Sequence, residues 1–131
     1  MIDPEKIDLI NRCLSRDERI LGAYLMGSAV SGCMRPGSDV DLAILTSQDV
    51  YLSSLQRLEL AAEISFQTGL SMDVGEISSR NLVYSKEAVL RGRRIYVRDE
   101  PEADLKISYI LGMYVVFNES RQEVLDAYRS G

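Results

Sequence analysis

The chain has 131 residues, 46% of them hydrophobic and 27% charged, with a formal net charge of −5 and no histidine. Such a length suits one compact domain, and such a composition excludes a disordered chain. The negative charge excludes non-specific binding of nucleic acid over a wide basic surface, and the missing imidazole excludes Ser-His-Asp hydrolases and His-ligated zinc.

Asp3-Pro4 is a helix start, with Asp as N-cap and Pro at the first helical position; Ile7, Ile10 and Leu14 then share one helical face. Residues 20–26 form a short apolar run with strand character that ends at Gly27-Ser28. Between residues 28 and 38 small residues with Gly32, Pro36 and Gly37 predict a short turn of helix followed by a tight loop. Residues 39–45, DVDLAIL, are the next strand. From Gln48 to Thr68, Leu52, Leu55, Leu58, Ala62 and Phe66 recur at helical spacing and predict an amphipathic helix closed by Gly69.

A third strand is expected over 70–77, a helix over 78–91 and a short fourth strand over 94–97. Pro101 opens a helical C-terminal segment (101–131) running to about Tyr128, with Asn118 as a candidate break. Its middle, residues 107–117, is apolar nearly all round, which suits either packing on the sheet or a face that binds a partner or a second copy. The order predicts one α/β (α+β) domain over 1–131, a small mixed sheet flanked by helices.

Chemistry concentrates at Gly27-Ser28, then ten residues, then Asp39-Val40-Asp41. Alternation along a strand sends Asp39 and Asp41 to one face, with Cα atoms roughly 7 Å apart. Their oxygens can bracket two divalent ions about 3.5–4 Å apart, and hard oxygen donors select Mg²⁺ or Mn²⁺. Glycine lets backbone approach a phosphate, and the amides of a turn opening a helix, with the Ser28 hydroxyl, make an anion nest. Asp73, in the strand after the long helix, can complete the metal set or take the proton of an attacking hydroxyl. Ser38 is either a phosphate donor or the cap of its loop. Arg35 is either a phosphate contact or a solvated base. The run Arg91, Arg93, Arg94 and Arg98 reads as solvated surface.

Gly-Ser, ten residues, Asp-x-Asp and a later strand carrying one Asp resemble the nucleotidyltransferase superfamily that includes DNA polymerase beta. More closely, the chain is similar to the minimal nucleotidyltransferases, the MNT or MntA-type antitoxins. The resemblance extends through Asn81 and residues 89–96, VLRGRRIY. It implies a small mixed sheet flanked by helices, and transfer of AMP from ATP with two Mg²⁺ (or Mn²⁺) ions. In that pattern Asp39, Asp41 and Asp73 are the catalytic, metal-holding acids, and Gly27 and Ser28 grip the phosphates. Many relatives carry Arg soon after Gly-Ser; here Ala29, Val30 and Ser31 follow, so Arg35 is the first base.

The resemblance also implies a HEPN-domain toxin partner and a tyrosine hydroxyl on it as the acceptor. Two alternatives stay open: a non-catalytic antitoxin acting by contact, and a nucleotidyltransferase for a small molecule such as an aminoglycoside. Cys13 and Cys33 offer neither a disulfide framework nor metal-ligand spacing, and read as plain buried thiols. The acidic N-terminus is no signal peptide. The longest apolar stretch, residues 109–117, falls short of the about 20 residues a bilayer requires. The expected location is cytoplasmic, with no membrane association.

Overall fold

The computed structural model describes residues 2–27 and 39–130. Its elements are α1 (Pro4–Ser15), β1 (Ile20–Met26), β2 (Val40–Thr46), α2 (Ser54–Thr68), β3 (Met72–Ile77), α3 (Leu82–Arg91), β4 (Arg93–Val97) and α4 (Glu100–Ser130). The strands lie side by side in the order β3-β2-β1-β4. β1 runs antiparallel to both β2 and β4, whereas β2 and β3 are parallel. A parallel pair cannot be joined by a hairpin, so α2 is the crossover between them. The result is the mixed sheet flanked by helices that the element order predicts.

Alternation along the strands divides the core in two. Val40, Leu42, Ile44, Met72 and Val74 pack with Ile10 and Leu14 of α1 and Leu60 and Ile64 of α2. On the other face Tyr24, Ala43, Leu45 and Ile77 pack with Ala88 of α3 and Ala103, Ile107 and Ile110 of α4. Asp3 caps α1 as expected, its carboxylate accepting from the Glu5 amide at 3.0 Å. Gly69 ends α2 at φ +73°, the left-handed conformation a side chain resists.

Several boundaries differ from the sequence expectation, each for a local reason. α2 starts at Ser54, because Ser53 and Gln56 form a reciprocal capping box. Residues 48–53 are instead held by side chains: Thr46 Oγ1 donates to the Val50 carbonyl, and the Leu52 amide donates to the buried Glu76 carboxylate at 3.1 Å. The apolar face of α2 is also not the expected one. Leu60, Ala61, Ile64 and Thr68 face the core, while Leu55, Leu58, Ala62 and Phe66 face solvent. Two stripes at helical spacing compete on this helix, and the α1–sheet groove takes the one with the β-branched Ile64.

β2 and β4 each shift or extend by one residue, and β3 begins at Met72 because Leu70 still belongs to the turn, its amide donating to Thr68 Oγ1. α3 begins at Leu82: the Ser85 hydroxyl ties down the amide and carbonyl of Ser78, which closes a turn before the helix. Asn118 does not break α4. Its side chain accepts from Arg121 one turn on, and the propensity cost of a single Asn is well under about 1 kcal/mol.

Among the described residues no helix is long and apolar enough to cross a membrane. Cys13 is buried and unpaired as expected, and burial pushes its thiol above the ordinary value. Cys33 lies outside the described residues. Of the four arginines expected on a solvated surface, Arg91, Arg93 and Arg98 are exposed, Arg98 also donating to the carbonyls of Ser15 and Asp17, whereas Arg94 is half-buried, donates to the Tyr24 hydroxyl and pairs with Asp104.

Candidate active site

Parallel pairing of β2 with β3 sets Asp41 directly beside Asp73, as register partners. Val40 and Leu42, and Met72 and Val74, point into the α1–α2 core. By alternation both aspartates therefore point to the opposite face, that of α3 and α4. Adjacent strands lie about 4.8 Å apart, so the two carboxylates are close neighbours.

β1 adds the third component. Met26, its last residue, is the register partner of Asp41, and Gly27 follows at φ +65°. That angle makes glycine the fitting residue. A Cβ built on Gly27 would lie 3.5 Å from Asp41 Oδ2, so the turn after β1 abuts the carboxylate on β2.

Asp39 is not in the strand but just before it. The Ser71 hydroxyl donates to Asp39 Oδ1 at 2.5 Å, and the Val40 amide donates to the Ser71 carbonyl at 2.7 Å. Ser71 thus fastens the entry of β2 to that of β3 and orients Asp39. The expected sites Ser28, Arg35 and Ser38 lie outside the described residues.

The electrostatics agree with this convergence. Asp41 is raised above the ordinary carboxylate value, first by partial burial and then by the negative charges of Asp73 and Asp39. Tyr84, from α3, joins the group. Its ring and hydroxyl occupy the space a Cβ on Gly75 would need, two residues past Asp73 on the same face. Its hydroxyl is pushed up to about 12, by burial first and then by Asp41 and Asp73, with Arg57 acting the other way. Tyr84 therefore stays a neutral hydrogen-bond donor beside the acids. The only hint of it in the sequence is Gly75, a strand glycine of the kind that marks close approach by another group.

Among the described residues no group of three or more carboxylate, imidazole or thiol side chains is gathered closely enough to hold a metal ion together. The donor chemistry nevertheless fits a hard divalent cation. Asp41 and Asp73 supply oxygen alone, and their mutual repulsion is what a cation would relieve. An open pair of this kind leaves coordination positions for water and substrate oxygens.

Comparison with known proteins gives a consistent answer. The family model described as polymerase beta, nucleotidyltransferase, matches residues 8–101. The protein adenylyltransferase MntA of Shewanella oneidensis is 25% identical over 103 residues, covering 79% of this chain and 72% of that protein. Among solved structures, a toxin–antitoxin with AMP-PNP superposes with a TM-score of 0.75 at 23% identity, covering 98% of this chain and 99% of the other. The MntA–HepT toxin–antitoxin gives 0.74 at 20% identity, with coverages of 97% and 99%. A tri-AMPylated Shewanella oneidensis HEPN toxin in complex with its MNT antitoxin gives 0.72 at 21% identity, with coverages of 95% and 97%. At these identities the structural likeness speaks for the fold.

Proposed function

This chain belongs to the polymerase beta-type nucleotidyltransferase family, and from that premise we propose that it transfers AMP from ATP to a tyrosine hydroxyl on a HEPN-domain toxin, as that toxin's antitoxin. The observation that carries the reading is the register pairing of Asp41 with Asp73 beside the Gly27 turn. The likeness to a protein adenylyltransferase supports a protein acceptor.

Asp41 and Asp73, with Asp39 drawn in closer than it stands in this structure, would hold two Mg²⁺ or Mn²⁺ ions. When bound, such ions neutralise the charge of the triphosphate and of the departing pyrophosphate. The chain's own residues do the rest. Asp73 takes the proton of the acceptor hydroxyl as its oxygen attacks the α-phosphorus and pyrophosphate leaves in line. Gly27 brings backbone close to the β- and γ-phosphates, where Ser28 adds a hydroxyl donor, with Ser38 and Arg35 as further phosphate contacts. Ser71 holds Asp39 in place through its hydrogen bond. Catalysis then comes from position and charge, as in other phosphoryl chemistry.

The test is intact-mass spectrometry on the purified HEPN-domain protein incubated with this chain, ATP and Mg²⁺. The expected result is an AMP-sized mass gain that disappears with Tyr→Phe at the modified position. Full neutralisation of the toxin by the double variant Asp39→Ala/Asp41→Ala would show that contact alone suffices.

A further inference from the structure

The outer side of α4 carries a surface that the catalytic site does not use. By the 3.6-residue turn of a helix, Leu105, Tyr109, Gly112 and Val116 stack along one side. Leu105, Tyr109 and Val116 are 72%, 69% and 63% exposed. A Cβ on Gly112 would meet nothing, so the helix backbone is bare there. Around it opens a shallow groove of about 630 Å³, walled by Leu82, Tyr109, Met113, Val116 and Phe117. Single exposed apolar side chains are ordinary, but a continuous stripe with a groove in it is the mark of an interface.

The rim of the stripe is acidic. Glu102 stands one turn before Leu105, while Glu119 and Glu123 stand one and two turns after Val116, on the same side and all exposed. Lys106 and Arg121 of α4 are engaged within the chain. Lys106 is bonded to the carbonyls of Thr46 and Ser47, and Arg121 folds back on Asn118 and over the Phe117 ring. Arg129 falls on the opposite side by its position in the turn. A second copy laid stripe to stripe would bring these carboxylates together while, among the described residues, Lys106 and Arg121 of α4 are already held by groups of their own chain, and like charges facing each other oppose such pairing.

We infer that this stripe is the docking surface for a helix of a different protein, apolar along its centre and lined by lysine or arginine. The inference deepens the proposed function by naming the surface that a protein acceptor would use, and it rests on that reading. Gly112 lets the partner helix come close, the aromatic and aliphatic side chains bury, and Glu102, Glu119 and Glu123 select a basic rim.

The experiment titrates the full-length chain into two fluorescently labelled amphipathic helical peptides, one of leucine and lysine, the other of leucine and glutamate, and reads anisotropy. The expected result is tighter binding of the leucine–lysine peptide, by about tenfold or more. Val116→Glu adds a negative charge, so non-specific attraction would grow; the docking surface predicts a loss of binding of about tenfold or more instead. The pair Glu119→Lys/Glu123→Lys should reverse the peptide preference. Equal binding of the two peptides, or undiminished binding by Val116→Glu, overturns the inference. So do a chain that light scattering shows to be a dimer dissolved by Val116→Glu, and sedimentation with anionic phosphatidylglycerol vesicles. Calorimetry with MgATP on the same samples separates the two readings. Nucleotide uptake without peptide selectivity removes the docking surface alone, and peptide selectivity without nucleotide uptake removes the catalytic reading.

Discussion

Asp41 is placed at a cost to the fold that its chemistry explains. Burial and two neighbouring carboxylates raise it, so the folded state binds its proton more readily than the unfolded chain does. Its contribution to stability is therefore present in acid and is lost as pH rises through the raised value. At neutral pH in EDTA, Asp41→Asn should raise the melting temperature by roughly 1–3 °C, while AMP transfer falls by about a hundredfold or more. Calorimetric melting of the two proteins measures the first and mass spectrometry of the acceptor the second. A lower melting temperature for the variant would show that the carboxylate is bonded rather than crowded. Asp17 has the opposite sign. The Arg19 side chain donates to it, chiefly holding its carboxyl below the ordinary value. The stability it adds is complete above the unfolded value and is lost as pH falls through the depressed one. Asp17→Asn should therefore flatten the acid limb of the stability curve and leave the neutral region changed by well under about 1 kcal/mol.

Among the elements, α2 separates what periodicity can and cannot settle. The helix itself and its closing Gly69 were legible, because Gly at C′ after an apolar-periodic run has few other uses. Its buried face was not, since two apolar stripes run along it and only the partner surface selects between them. Phe66→Lys should change stability by less than about 0.5 kcal/mol, whereas Ile64→Ala should cost about 2–5 kcal/mol; urea melts measure both, and equal costs would contradict the assignment. β3 and α3 make a second case. Asp73 was legible as the acid of a later strand, but Tyr84 was not, because its place depends on how α3 lies across Gly75. Gly75→Ala should displace the Tyr84 ring and destabilise the fold by about 1–3 kcal/mol. Pairing it with Tyr84→Leu should recover part of that loss, and strictly additive costs would show that the two residues do not meet. The β1 boundaries and the Asp3-Pro4 start were legible because each rests on local chemistry. The later starts of α2 and α3 rest on capping and side-chain bonds that periodicity does not register.

At the scale of the whole molecule, the catalytic and docking readings use separate surfaces. Asp41 and Asp73 lie side by side where β1 ends and β2 and β3 begin, and the exposed stripe lies on the outer side of α4. The net charge of −5 suits a basic protein partner and disfavours a polynucleotide one. The central claim is that the Asp41–Asp73 pair and the Gly27 turn take up a triphosphate with divalent metal. Isothermal titration with a non-hydrolysable ATP analogue tests it most directly. The account predicts saturable binding with Mg²⁺ that EDTA abolishes and that Asp41→Asn/Asp73→Asn weakens by about tenfold or more. Equal affinity with and without Mg²⁺, or undiminished affinity in the double variant, would contradict it.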